Sequence, residues 1–500
     1  MAVIKKSMFP LGTGVNNILS MKKRFDDLQT QLGTKEKYAT LADMGTDRHL
    51  DLVLRQRLAR TEAYRQNVDV VKLRLDTLDT AMTRMSKLEG EARTESLKAV
   101  GGKEAPDFQA AQGLSTTRLD ELLNLLNTEV SGRYVFAGNK TEDQPVETME
   151  KVMNGNLGRA GFKQVLGERR QADLGANHLG RLAMVAPNAN NEVGLAEDGV
   201  HSFGIKLSTI STTDPNITVT APAGQPKALS VGFGATLPTA GQSVSITLTL
   251  ADGSQETLKL VAGDANGIGK FKIGADAATT AQNFHDALRD NIKDLAETRG
   301  DVASNNKAAD DFFFGPGGVP KRVVGPPFDT AVQMVDATQA DTVFWYKGGD
   351  SANPRAEINS RVADGTTVNY GVQANEQGFA AMAKGLALMS VQVLNKTDPK
   401  AGERYEATVM RQRTRFVDAV NTNGSIAGIS VELGMAKVTT KASEDRNTAT
   451  KTQVDNMLED LEVSNPTSVA MELLALKTRL ESSYQATSLL SQLSLINYMK

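Results

Sequence analysis

TSVAMELLALKTRLESSYQATSLLSQLSLINYMK, residues 467–500, is the stretch whose reading decides the fold. Val469, Leu473, Leu476, Leu480 and Tyr484 recur at steps of four, three, four and four, and Leu489, Leu490, Leu493, Leu495 and Ile496 follow. No Gly or Pro interrupts the run, and Asn465-Pro466 before it is a good helix start. At the other end of the chain, NNILSMKKRFDDLQTQL (residues 16–32) spaces Ile18, Met21, Phe25, Leu28 and Leu32 by three, four, three and four. That is the a/d seam of a coiled coil, and it faces nothing in its own neighbourhood. Periodicity alone would equally suit an amphipathic helix on a globular core. Two seamed helices at opposite chain ends, however, can solve each other's burial problem, at roughly 1.5–3 kcal/mol per covered side chain. We therefore expect a terminal coiled coil completed by other subunits. Its assembly interface would be Ile18, Met21, Phe25, Leu28, Leu32, Val469, Leu473, Leu476, Leu480, Tyr484, Leu490, Leu493 and Ile496.

Composition narrows the alternatives. Five hundred residues allow about three domains. The net charge of −3, from 56 basic and 59 acidic side chains, implies no polyelectrolyte partner, and no basic or aromatic-basic motif marks a nucleic-acid binder. Cysteine is absent, which removes disulfides and soft-metal sites but does not choose a compartment. Aromatic residues make up 5% with a single Trp, low for a compact enzyme of this size. No run of about 18 apolar residues occurs, so membrane insertion is not expected. Lys5, Lys6, Lys22, Lys23 and Arg24 resemble a signal n-region, but Pro10, Gly12, Gly14 and Asn16-Asn17 interrupt any apolar core after it. A cleaved secretory signal is not expected, and residues 1–15 read as disordered in the free chain.

Outward from the two ends, the pattern is nearly palindromic. A second helix is predicted over 47–97, with Tyr64, Val68, Val71, Leu75, Leu78, Met82 and Met85 alternating four and three, and a third over 107–130. Residues 133–137 read as a strand. Between about 142 and 327 the seams vanish and strands are predicted at 217–220, 228–233, 244–250 and 257–261, with a hairpin turn at Ala251-Asp252-Gly253-Ser254. A helix follows over 277–297, and Phe312-Phe313-Phe314 with the residues to Pro327 reads as a linker. Then come a strand at 342–346, a hairpin turning at Asp364-Gly365, and helices over 376–393, around Val409 and over 436–461. The fold class is mainly α with a β-rich insert. The expected domains are 1–46 plus 462–500 (terminal helical), 47–141 plus 340–461 (helical rod) and 142–339 (variable insert).

The sequence offers no catalytic constellation. His49, His178, His201 and His285 are scattered, no His-Glu-x-x-His occurs, and each reads as a surface or satisfied structural residue. In residues 263–271, Phe271 stands where a phosphate loop needs Ser or Thr, so the segment reads as a turn. No nucleophile elbow is found. Glu168-Arg169-Arg170 and the cluster from Arg411 to Arg415 read as solvated helix faces. No metal and no cofactor are expected.

Residues 480–487 (LESSYQAT) and 490–498 (LSQLSLINY), with 132–141 (GRYVFAGNKT), 343–350 (VFWYKGGD) and 368–372 (VNYGV), resemble the flagellin superfamily and within it the hook–filament junction branch. The resemblance covers roughly 1–145 and 340–500; the insert is similar to variable-domain material in the same superfamily. It implies a non-catalytic structural subunit of the bacterial flagellum, located outside the cell. Export would use the flagellar type III route through an uncleaved N-terminal signal. Implied partners are neighbouring copies, flagellin, other hook-associated proteins, an export chaperone and the export apparatus. A filament flagellin is the nearest alternative, a flagellin-like scaffold carrying an enzyme in the insert is another, and a flagellin-like adhesin a third. On this reading the terminal seams are incompletely covered in a lone molecule and order on assembly.

Overall fold

The computed structural model describes residues 9–101, 108–315, 318–392, 397–420 and 424–498; the side chains of 9–13, 96–101, 108, 414–420 and 490–498, and so those of Leu490, Leu493 and Ile496, lie outside the described residues. About 53% of the chain is helical, with long helices at both ends and sheets in the central region.

In order, the chain forms α1 (Phe9–Thr34), α2 (Asp47–Gly101) and α3 (Phe108–Leu126), then a two-residue hairpin of β1 (Glu129–Val130) and β2 (Arg133–Tyr134). The short helices α4 (Met149–Asn154) and α5 (Phe162–Leu174) precede β3 (Leu182–Val185), β4 (Glu192–Glu197), β5 (Lys206–Thr212) and β6 (Ile217–Ala223). Next are β7 (Ala228–Phe233), β8 (Ser243–Thr249), β9 (Gln255–Gly263), β10 (Lys270–Lys272) and α6 (Ala277–Leu295). A π turn at Ala296–Gly300 joins α6 to α7 (Asp301–Phe313). After β11 (Lys321–Val323), β12 (Met334–Asp336) and α8 (Pro354–Glu357) comes the hairpin of β13 (Asn359–Ala363) and β14 (Thr366–Asn369). The helices α9 (Gln377–Val391), α10 (Ala401–Val420), α11 (Ile426–Glu462) and α12 (Pro466–Tyr498) complete the order.

These elements fall into two compact units. One comprises Met1–Val71, Ser360–Val368 and Val438–Lys500; the other comprises Lys72–Asn359 and Asn369–Lys437. The domain borders expected at 46 and 462 lie inside the first unit, and the whole 142–339 insert lies inside the second. The stripe along α2 is buried from Val68 and Val71 through Leu75, Leu78, Met82 and Met85 to Leu88, as the alternation of four and three requires. Its first member, Tyr64, is half-buried.

In the second unit, β3-β4-β7-β6 and β10-β9-β8-β5 make two four-stranded sheets, antiparallel except where β9 and β10 run parallel. Val193 and Leu195 of β4 alternate inward, as do Val244, Ile246 and Leu248 of β7's counterpart β8, and they share one core with Phe284, Leu288, Ile292 and Leu295 of α6. Phe233, Phe271 and Phe284 meet at ring separations of 5.2–6.0 Å, in the tilted and edge-on geometry aromatic quadrupoles favour. Helix α6 starts where the Asp276 side chain accepts the Thr279 N–H at 2.7 Å, leaving one fewer orphan donor in the first turn.

Several expectations need correction. The helix expected from residue 16 begins at Phe9 and runs through Gly12 and Gly14. The strand expected at 133–137 keeps only Arg133–Tyr134, and 342–346 makes only isolated bridges, Ala160 with Thr342 and Val146 with Tyr346. Those apolar runs are buried in loops, where Trp345 donates from Nε1 to the Phe313 carbonyl at 3.2 Å. The phenylalanine run is no linker: Phe312 and Phe313 close α7 and pack on Phe162, and Phe313 also meets Trp345. Sequence reading missed α7 because Asp301, Ser304, Asn305, Asn306 and Asp311 are buried among Val302, Ala303, Ala308, Ala309, Phe312 and Phe313, so no clean apolar stripe shows.

The β8–β9 turn is tied down by chemistry rather than by its own bonds alone. Gly253 takes a left-handed φ of 82°, and the Asp252 carboxylate accepts from the Ser254 hydroxyl at 2.5 Å, from Arg411 Nε at 2.8 Å and from Asn306 Nδ2 at 3.1 Å. Burial pushes Asp252 up, but the bonds from Ser254, Arg411 and Asn306 outweigh it and hold the carboxyl below its usual value. A depressed folded value means that this contribution is complete above the unfolded value of about 3.9 and is lost as pH falls through the lower, folded one. Replacing Asp252 with Asn should therefore lower the melting temperature of the full chain at pH 6, with the difference from wild type shrinking below about pH 4. An equal difference at pH 6 and in strong acid would show that the ionised carboxylate is not what holds the turn.

Candidate assembly interface

The paired ends of the chain lie within the first unit. Leu28 of α1 and Val469, Leu476 and Leu480 of α12 are buried against one another, flanked by half-buried Ile18, Met21, Phe25 and Leu473. Arg24 Nη2 meets Glu472 Oε1 at 2.9 Å beside this seam, with both side chains about half exposed. Beyond it, the residues after α1 meet the start of α12's turn through backbone bonds. Lys37 N–H donates to the Glu462 carbonyl at 2.6 Å, Ser464 N–H to the Lys35 carbonyl at 2.9 Å, and the Ser464 hydroxyl to the Gln31 carbonyl at 3.3 Å. Asn465 caps α12 by accepting the Thr467 and Ser468 N–H groups at 3.0 and 3.3 Å, with Pro466 in the first turn.

The structure thus brings Ile18, Met21, Phe25, Leu28, Val469, Leu473, Leu476 and Leu480 together. It does not bring Leu32 or Tyr484 into that cluster; both are exposed. The inward stripe passes from Leu28 to half-buried Gln31, three residues on, whose Nε2 donates to the Lys37 carbonyl at 2.8 Å. On α12 it passes from Leu480 to half-buried Ser483 and Thr487, so the alternation of four and three continues without the slip read from Tyr484. Polar residues hold the inward positions there, and hydrophobicity alone could not find them.

A second seam in this unit joins α2 to α11: Leu54, Val454 and Leu458 are buried together, with Leu58 against them. Above it Arg55 Nε reaches Asp51 Oδ2 at 3.1 Å and Arg55 Nη2 reaches Glu462 Oε1 at 2.6 Å. The Tyr38 hydroxyl donates to Asp47 at 2.9 Å, and that bond raises the phenol above its ordinary value.

The charge clusters read as solvated faces are solvated only in part: Arg413 is exposed and Arg170 half-buried, while the side chain of Arg415 lies outside the described residues. Glu168 and Arg169 are buried in the second unit, where Arg169 bridges Asp173 at 2.7 Å and Asp311 at 3.1 Å, and Glu168 receives Arg322 Nη2 at 2.5 Å. Arg411 is spent on the Asp252 turn. His201 is likewise internal. Its Nδ1 accepts the Phe203 N–H at 3.2 Å, and its Nε2 lies 2.8 Å from Asp198 Oδ1 and 2.9 Å from Arg181 Nη2. Burial, then Lys206 and Arg181, push its value down. Among the described residues no group of three or more His, Asp or Glu could hold a metal ion, and no helix is long and apolar enough to cross a membrane. A scan against protein-family models finds no match, and no curated protein matches the sequence.

If the apolar seam holds α1 on α12, replacing Leu28 with Ala should cost the pair about 2–5 kcal/mol, read as faster amide exchange along both helices. Arg24→Ala should change that exchange by less than about 1 kcal/mol. Equal effects from the two substitutions would assign the pairing to the ion pair instead.

Proposed function

We propose that this chain is a non-catalytic structural subunit of the bacterial flagellum, acting at the junction between hook and filament. One observation carries this reading. The α1–α12 pair buries a single seam and leaves Val15, Leu19, Met471, Leu474, Tyr484 and Leu489 exposed, with Met471 and Leu474 more than 60% accessible. A lone pair of helices with so narrow a buried stripe is marginal in water. Large apolar side chains on its remaining faces are the chemistry of a subunit interface. Neighbouring copies would cover them together with Leu493 and Ile496, and the seam itself would continue as a coiled coil through Leu490.

The segments at 132–141, 343–350 and 368–372, which resemble the hook–filament junction branch, support the junction over the filament proper. A filament flagellin would use the same apolar faces and is the second reading. On either, the chain leaves the cell through the flagellar type III apparatus, guarded by a chaperone, and meets flagellin and other hook-associated proteins. No reaction and no cofactor belong to this function.

Deleting 489–500 should leave the thermal transition of the sheet-containing region unchanged and abolish incorporation into the flagellum, scored by electron microscopy of the strain. Hooks without filaments, and flagellin lost to the medium, are the expected picture. Normal filaments from that strain would refute the role, and micrometre fibres grown by the purified protein alone would transfer it to a filament subunit.

A further inference from the structure

Within the first unit a groove of about 420 Å³ opens between α2, the turn of the β13–β14 hairpin and α11. Its cations are Arg57 and Arg60 from α2 and Arg446 from α11. All three are exposed, and among the described residues none of them has a carboxylate partner. The only acidic residue in the wall, Asp364, is engaged by Arg361 at 2.7 Å. Arg57 and Arg60 stand three residues apart on one helix face, about 4.5 Å along its axis, where like charges repel. A third guanidinium faces them from another helix.

The groove is preformed. Asn447 Nδ2 donates to the Val362 carbonyl at 2.8 Å, and Asn67 Nδ2 donates to the Arg361 carbonyl at 3.0 Å, so α11 and α2 both grip the hairpin. Arg361 lies 5.7 Å from the centre of the Tyr64 ring, which forms part of the wall together with Val53. The contrast with the cavity of about 320 Å³ in the second unit is instructive. There Arg170 is answered by Asp301, Lys400 by Asp294 and Glu297, and Arg404 by Asp398. That cavity's cations are neutralised within the fold, whereas the groove's are not.

We propose that this groove docks an acidic helical segment of a protein partner, with two carboxylates one turn apart meeting Arg57 and Arg60 and a third anionic contact at Arg446. The guanidinium fork donates two parallel hydrogen bonds to a carboxylate, and the spacing on α2 matches carboxylates at i and i+3 of a facing helix. Val53 and the Tyr64 ring give the methylene stems of such a segment an apolar wall, which a sulfated or phosphorylated polyanion would not use. The site is separate from the outward faces of α1 and α12 and does not depend on the flagellar role.

The test is fluorescence anisotropy with the full chain and an alanine-based helical peptide carrying Glu pairs three residues apart, beside the same peptide with Gln. The Glu peptide should bind and weaken with salt, and the Gln peptide should not bind. The double variant Arg57→Ala/Arg60→Ala should lose about tenfold in affinity, Arg446→Gln several-fold, and Arg133→Ala, remote in sequence, none. Circular dichroism of each variant checks that the helices persist. No binding at millimolar peptide, equal binding of the Glu and Gln peptides, an equal loss in Arg133→Ala, or heparin held at the groove more tightly than the Glu peptide would each overturn the proposal.

Discussion

The apolar seam between α1 and α12 is the contact on which the first unit depends. Neither helix has a core of its own, because a single helix can bury a stripe only against something else. Leu28, Val469, Leu476 and Leu480 supply that cover for each other across more than four hundred residues of intervening chain. Backbone bonds from Lys37 and Ser464 then tie the chain just after the end of α1 to the chain just before α12, and Asn465 sets the first turn of α12. The result is narrow: one buried face, with exposed apolar residues on the others.

The second unit solves burial differently. Its sheets and α6 close a core of ordinary apolar side chains around Phe233, Phe271 and Phe284. Next to that core, α5 and α7 bury charge. Arg169 with Asp173 and Asp311, and Glu168 with Arg322, are paired and further hydrogen-bonded, as when the Ser304 hydroxyl donates to Asp173 at 2.7 Å. Such pairs add little net stability over a well-packed apolar core, but removing one partner leaves an uncompensated charge inside and is costly. The region is therefore tolerant of none of the single charge deletions that a solvated face would absorb.

Legibility in the sequence followed the physics of each element. The α2 stripe could be read residue by residue because a long helix repeats its burial pattern many times. So could α9, where Phe379, Met382, Leu386 and Met389 are all buried. The strands β6 to β9 were visible from alternation and from the Asp252-Gly253 turn; β3, β4 and β5 were not, being interrupted by Gly194, Glu197 and a run of Ser and Thr. At the candidate interface the apolar members could be read, and the polar ones, Gln31, Ser483 and Thr487, could not. Charges default to the surface in any sequence reading, so Glu168, Arg169 and Arg411 were misplaced. The Arg57–Arg60–Arg446 groove was invisible for another reason: its members come from distant segments, and only the folded hairpin brings them to one place.

The grip of Arg411 on the Asp252 turn sets an order of events for the newborn chain. A ribosome releases residues 243–263 well before residue 411, and the β8–β9 ribbon can zip locally as soon as it appears. Its tip then has Ser254 and, later, Asn306, but must wait for a guanidinium encoded 159 positions after Asp252. Until α10 arrives, the central sheets have a loose corner, so truncated products ending before α10 should be trimmed there first by a protease.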